Sequence, residues 1–113
     1  MKRILAAFLF FFNFNAFAAA TLNVPDASKI LWEMNSDGLL WFRNLNEFSS
    51  SFTGCCYNYV LDTTTPQGRR FYAMLIAKMA EHKGITLGFP SEVASQSAPQ
   101  VLTQMAKHEH FGE

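Results

Sequence analysis

Residues 61–90 read LDTTTPQGRRFYAMLIAKMAEHKGITLGFP, and this stretch predicts the organising helix of the fold. Thr63-Thr64-Thr65-Pro66 indicates a helix start, because a Thr hydroxyl can accept from a first-turn amide and Pro needs no N–H partner there. Lys83-Gly84 supplies a basic last turn and a glycine able to adopt the left-handed conformation that ends helices. We therefore expect a helix from about Pro66 to His82. Its apolar face follows a spacing of three and four: Gly68, Phe71, Tyr72, Leu75, Ile76 and Met79.

Short apolar runs on both sides of this helix predict strands. Residues 57–61 alternate between larger apolar and smaller or polar side chains, and residues 85–89 do the same before Pro90 ends the run. Upstream, the runs Ile30 to Trp32 and Leu39 to Phe42 flank an Asp37-Gly38 turn, which is typical of a β-hairpin. Four strands are expected.

The remaining segments complete the predicted fold. The Ser-rich residues 44–54 are expected to form a loop. Residues 99–107 carry Val101, Leu102, Met105 and Ala106 on one helical face, which predicts a short C-terminal helix. The fold class is α+β, with a mostly antiparallel sheet packed on one amphipathic helix. An open sheet and a partial barrel both fit this pattern.

The N-terminus has the order of residues found in secretory signals. Lys2 and Arg3 precede an apolar run over residues 4–12, and Ala16-Phe17-Ala18 fits the cleavage pattern, with release before Ala19. Release before Thr21 is the alternative. A membrane-spanning helix would need about 20 apolar residues, so we expect a signal peptide at residues 1–18 and no stable membrane insertion after cleavage. Residues 19–113 form one domain, and the localisation is periplasmic or secreted.

The charge of the mature chain bears on its partners. Without Lys2 and Arg3, seven basic residues face nine acidic ones, a formal charge of −2. Nucleic-acid binding would call for a clustered basic surface, so no nucleic-acid partner is expected.

Cys55 and Cys56 are the only cysteines and are adjacent. Neighbouring Cα atoms lie about 3.8 Å apart across a trans peptide, less than an ordinary disulfide requires. Three interpretations remain open: a vicinal disulfide that acts as a stiff turn or redox switch, an intermolecular bridge, and two unpaired thiols. The pair is not a C-x-x-C motif, which argues against thioredoxin-like chemistry.

Other reactive residues give little support for catalysis or metal binding. His108 and His110 could join the cysteines in a zinc site, but they lie near the chain terminus without a rigid frame. Asp62 is placed to stabilise the helix start. Ser49 to Ser51 lack the G-x-S-x-G context of a hydrolase nucleophile. We expect no enzyme activity, no cofactor and no metal site.

Aromatic residues are concentrated in the predicted strands, where some must fill the core. Rings that stay exposed would form a recognition surface, and exposed arginines would complement it, because aromatic residues and Arg contribute strongly to interfaces. The candidate binding residues are Trp41, Tyr57, Tyr59, Arg69 and Arg70.

The residues Cys55-Cys56, Leu61 to Arg69, Tyr72-Ala73, Ala77-Lys78 and Ile85 to Gly88 resemble the core of small uncharacterised secreted proteins of gammaproteobacteria. The resemblance covers about a third of the chain. It implies export and a strand-helix-strand unit, and it brings no catalytic residue. Further strands after residue 89 would be expected from it.

The functional expectation is an exported, non-enzymatic binding or interaction module. Its partner would be another protein or a surface ligand, and it could form a homo-oligomer. The alternatives are an accessory subunit or immunity-type inhibitor of a secreted effector and, less favoured, a thiol-redox or metal-binding protein.

Overall fold

A computed structural model describes residues 20–111 and has an α+β architecture. Within this range, no helix is long and apolar enough to cross a membrane. The proposed signal peptide lies outside the described residues. The elements are β1 (Ala20–Val24), β2 (Trp32–Met34), β3 (Leu39–Phe42), β4 (Tyr59–Asp62), α1 (Pro66–Glu81), β5 (Ile85–Phe89), β6 (Gln100–Val101) and β7 (Gln104–Ala106), with 3₁₀ turns at Ala27–Lys29 and Leu45–Glu47.

The strands form two sheets rather than the single sheet of about four strands expected from the sequence. In the first sheet, β5 lies between β1 and β7, and all pairings are antiparallel. The second sheet has the order β2-β3-β4-β6, in which only β4 and β6 are parallel. The mostly antiparallel character is confirmed, but the described strands do not close into a barrel.

The predicted hairpin is confirmed as β2 and β3, with Gly38 at φ 86° in the turn. Its first strand begins at Trp32 rather than Ile30. The amide of Ile30 donates to the carbonyl of Ala27 at 3.1 Å and so closes the preceding 3₁₀ turn. This local bond removes Ile30 from the strand.

Helix α1 begins as predicted, because the Thr65 hydroxyl accepts from the amide of Gly68 at 2.9 Å and Pro66 occupies the first turn. Its end differs from the expectation. His82, not Gly84, adopts the left-handed conformation, with φ 58°. Its amide donates to the carbonyl of Met79 at 3.2 Å, which closes the last turn.

The core lies between α1 and the inner faces of the two sheets. Leu75 is the fully buried large side chain of α1, whereas Phe71 and Met79 are only partly buried and Ile76 is 36% exposed. The rings of Tyr59 and Phe89 lie 5.1 Å apart and join the two sheets. Strand residues supply most of the remaining core: Leu22, Val24, Leu40, Phe42, Leu61, Ile85 and Leu87.

The predicted C-terminal helix is wrong, because residues 99–107 form β6 and β7 instead. The amides of Gln100 and Leu102 donate to carbonyls of Asn58 and Val60, each at 2.8 Å, while Met105 pairs with Leu87 of β5. A helix this short is marginal by itself, whereas each sheet edge offers ready backbone partners. The register of the two sheets therefore outweighs the local helical spacing.

Candidate functional site

The second sheet has a face opposite the core cluster, which is partly exposed at Glu33 and Trp41 and covered at Val60, a residue that is 4% exposed. Glu33, Trp41 and Val60 are cross-strand partners on β2, β3 and β4, so their side chains share one face. The alternate residues Leu40 and Phe42 are buried in the core. Side chains alternate between the faces of a strand, and Trp41 therefore belongs to the outer face.

Trp41 and Tyr57 form an aromatic pair on this face. Both are partly exposed, and their ring centroids lie 5.6 Å apart with an interplanar angle of 83°. This edge-to-face arrangement is favoured for aromatic rings. The Tyr57 hydroxyl donates to Glu33 Oε1 at 3.0 Å, which links the pair to strand β2.

Arg43 connects the aromatic pair to the cysteines. Its Nη1 donates to Glu33 Oε1 at 2.7 Å, and its Nη2 donates to Sγ of Cys56 at 3.2 Å. Its Cζ lies 5.7 Å from the centroid of the Tyr57 ring, within the range of a cation–π contact. The side chains of Arg43 and Glu33 are about one-third exposed. We call Glu33, Trp41, Arg43, Tyr57 and Cys56 the outer-face cluster.

Cys55 and Cys56 are joined by a disulfide in the segment between β3 and β4, and the peptide bond between them is cis. Their environments differ. Cys55 is exposed, whereas Cys56 is partly buried against Arg43. The disulfide thus forms one end of the outer-face cluster.

Tyr59, one of the candidate binding residues, does not lie on this surface because it is buried in the core. Its ring is 1% exposed, opposite Phe42 on the core side of the sheet. Its hydroxyl accepts from the amide of Thr53 at 2.7 Å and donates to the carbonyl of Glu92. Tyr59 therefore holds two loops against the core.

Arg69 and Arg70 are exposed on α1 and make only local contacts. Arg69 Nη1 donates to the carbonyl of Thr64 at 3.2 Å, and Arg70 Nη1 donates to Gln67 Oε1 at 3.1 Å. Among residues 20–111, no hydrogen bond or ring contact connects them with the outer-face cluster. The structure therefore does not unite all the candidate binding residues in one site.

Sequence reasoning missed Glu33 and Arg43. A signal was available in the hairpin: a turn over residues 35–38 places Glu33 opposite Trp41, and Arg43 follows Trp41 by two residues on the same face. The contact of Arg43 with Tyr57 depends on the path of the segment before β4. No spacing in the sequence reveals it.

A second polar cluster contains Asp26, Ser28 and His82. Asp26 Oδ1 accepts from the hydroxyl of Ser28 at 2.7 Å and from its amide at 2.9 Å, and these bonds lower the pKa of Asp26. Both Ser28 Oγ and Asp26 Oδ2 face the same ring nitrogen of His82, at 2.9 and 3.7 Å. A catalytic triad needs the carboxylate and the nucleophile on opposite ring nitrogens. The cluster therefore connects the 3₁₀ turn at Ala27–Lys29 with His82, the residue at which α1 ends.

Neither a metal-ligand cluster nor the groove beside α1 provides a reactive site in the described residues. In the described part of the chain, no three His, Cys, Asp or Glu side chains converge to hold a metal ion. A groove of about 210 Å³ lies between α1 and β7, lined by Met74, Lys78, Ile85, Met105, Ala106 and Lys107. This lining has no carboxylate, hydroxyl or imidazole group to act on a ligand.

The fold and the site define a small α+β protein with a vicinal disulfide beside an aromatic and charged cluster. Comparison with protein-family models, with curated proteins and with solved structures gave no match.

Proposed function

We propose that this chain is an exported binding module that recognises another protein through the outer-face cluster. The observation that carries the proposal is the Trp41–Tyr57 pair, which is partly exposed beside an arginine that contacts one of its rings. Aromatic and Arg side chains carry a large share of the energy at protein interfaces. The cluster combines both types on one sheet face.

The preorganisation of the cluster also supports binding. Glu33 accepts hydrogen bonds from both Arg43 and Tyr57, so the guanidinium and the phenol are held in place before a partner arrives. A preordered side chain loses less conformational entropy on binding. The Cys55–Cys56 bond restrains the adjoining segment in the same way.

Export itself rests on the order of residues in the N-terminal segment, and the position of β1 bears only on the choice between the two cleavage sites. In the described residues this strand includes Ala20, which pairs with Phe89, so release before Ala19 keeps this pairing. Release before Thr21 would remove Ala20, a partly buried residue that packs against the core. We therefore favour the first cleavage site.

Export is tested by N-terminal sequencing of protein recovered from the periplasm and medium of a bacterial host. We expect the sequence to begin at Ala19. Protein that begins at Met1 and stays in the cytoplasm would refute export.

Recognition is tested by quantitative affinity capture from periplasmic extract and culture medium. The bait proteins are the wild type, a Trp41→Ala/Tyr57→Ala double variant and a Val93→Ala control, whose altered side chain is 73% exposed in a loop. We expect a partner retained by the wild type and the control and lost by the double variant. Thermal melts of all three check folding, and capture that is indifferent to the double substitution contradicts the proposal.

A further inference from the structure

The two sulfur atoms of the vicinal disulfide are chemically unequal. Cys55 is exposed, whereas Cys56 is partly buried and its Sγ lies 3.2 Å from Nη2 of Arg43. The other end of the same guanidinium is held by Glu33, through Nη1 and Oε1 at 2.7 Å. Cys55 is therefore the more accessible residue, while Sγ of Cys56 lies beside a guanidinium that is held in place.

Thiol–disulfide exchange depends on this kind of asymmetry. The attacking thiolate needs access to one sulfur, and the reaction is faster when the other leaves readily as a thiolate. A neighbouring arginine stabilises thiolate charge. Glu33 partly neutralises the positive charge of Arg43. Its carboxylate accepts from Nη1, however, so Nη2 remains directed at Sγ of Cys56.

We propose that Cys55–Cys56 is a site of thiol–disulfide exchange with a dithiol reductant, in which Cys55 is attacked and Cys56 leaves beside Arg43. The proposal concerns a reversible modification of the chain, and it does not depend on the binding function. Arg43 acts as a positioning and charge-stabilising residue for the leaving sulfur.

The steps balance as a two-electron reduction. A thiolate of the dithiol forms a bond to Sγ of Cys55, the Cys55–Cys56 bond breaks, and its electron pair moves to Sγ of Cys56. The second thiolate of the reductant then attacks its own sulfur in the mixed disulfide and displaces the thiolate of Cys55. The dithiol is oxidised to a disulfide, and its two protons are taken up by the cysteine thiolates.

The site of attack is tested with glutathione, a monothiol that stops at the mixed disulfide. Folded protein is treated with glutathione, free thiols are trapped with N-ethylmaleimide, and fragment masses locate each label at residue 55 or 56. We expect glutathione on Cys55 and maleimide on Cys56, and a loss of this preference in concentrated urea. Glutathione found mainly on Cys56, an even distribution in the folded protein, or two free thiols before treatment would overturn the proposal.

The role of Arg43 is tested by the rate of reduction with dithiothreitol. Arg43→Gln should slow the reduction about tenfold, because a hydrogen bond to a charged group is much stronger than a neutral one. The Arg43→Lys disulfide should be reduced at a rate between those of Arg43→Gln and the wild type. Arg70→Gln is the matched control, since the hydrogen bond that Arg70 makes within residues 20–111 goes to Gln67 and not to the cysteines. Thermal melts check that each variant is folded, and equal rates for Arg43→Gln and the control would refute the role of Arg43.

Discussion

Gly68 lies directly against the end of β4, where a Cβ on it would be 1.7 Å from the carbonyl oxygen of Asp62. The contact is with backbone, which cannot rotate away as a flexible side chain can. Gly68 has an ordinary helical conformation, so the requirement for glycine comes from packing alone. The first turn of α1 is set against the sheet by this contact.

Gly68→Ala should therefore destabilise the protein although Ala is the better helix former. Overpacking costs about 1–3 kcal/mol or more, which exceeds the gain of up to about 1 kcal/mol in helix propensity. The free energy of unfolding is measured by urea titration with tryptophan fluorescence. Ala77→Gly is the control: at this exposed helix position, the change in the free energy of unfolding measures the difference in helix propensity between Ala and Gly without a packing contribution. A Gly68→Ala protein as stable as the wild type would contradict the packing argument.

Leu75→Ala should cause the largest loss of stability among alanine substitutions of the apolar side chains of α1. Leu75 is 0% exposed, and removing such a side chain costs about 2–5 kcal/mol through lost burial and an unfilled cavity. Met74 is 51% exposed, and Met74→Ala should change stability by no more than about 0.5 kcal/mol. Equal effects of the two substitutions in urea titration would show that α1 packs through another face.

The stability of the fold should decrease in acid because of Asp62 and Asp26. Hydrogen bonds from the hydroxyl and amide of Thr64, at 2.6 and 2.9 Å, lower the pKa of Asp62 from its usual 3.8, and Ser28 acts likewise on Asp26. A carboxylate with a lower pKa in the folded state stabilises the fold above its unfolded pKa. This contribution is lost as the pH falls through the folded value.

The loss is measured by urea titrations between pH 6 and about pH 2, the acid range in which such groups titrate. Asp62→Asn should flatten the decrease below about pH 4, and Thr64→Val should do so in part because it removes one of the two donors. Both variants keep the pH-dependence that comes from Asp26. An unchanged pH slope in both would exclude Asp62 as a contributor.

Tyr59→Phe should weaken the attachment of two loops to the core. The Tyr59 hydroxyl bridges the amide of Thr53 and the carbonyl of Glu92, and loss of such a buried bridge costs about 1–3 kcal/mol. Tyr72→Phe is the control, because the hydroxyl of Tyr72 has no hydrogen-bond partner among residues 20–111. In thermal and urea unfolding, Tyr59→Phe should have a lower free energy of unfolding than the wild type, and Tyr72→Phe should not. Equal stability of the two variants would contradict the role of the Tyr59 hydroxyl.

Much of the fold was predictable where local chemistry and tertiary contacts agree. The helix start at Thr65 and Pro66, the turn at Gly38 and the strand at residues 85–89 each depend on backbone preferences of the residues themselves. The C-terminal segment was predicted wrongly because its apolar spacing fits a helix, while the free edges of β4 and β5 supply better partners. Strand β1 was missed because its alternation is short and directly follows the segment interpreted as an export signal.

The candidate site was predictable only in part. The sequence singled out Trp41, Tyr57 and the cysteines, but it also included the buried Tyr59 among the candidates. A strand pattern with large residues on both faces does not show which face is inner. Glu33 and Arg43 became visible as site residues only through their contacts across the sheet and with the segment before β4.

The sequence by itself determined the elements whose conformation is decided within a few residues: the capped helix, the hairpin turn and the run that becomes β5. The tertiary structure alone decided that there are two sheets, that His82 ends the helix, and that Arg43 lies between Glu33 and Cys56. The physical reason is the distance along the chain over which each interaction acts. Capping and turn formation depend on neighbouring residues, whereas strand pairing and ion pairing depend on which distant groups the whole chain brings together.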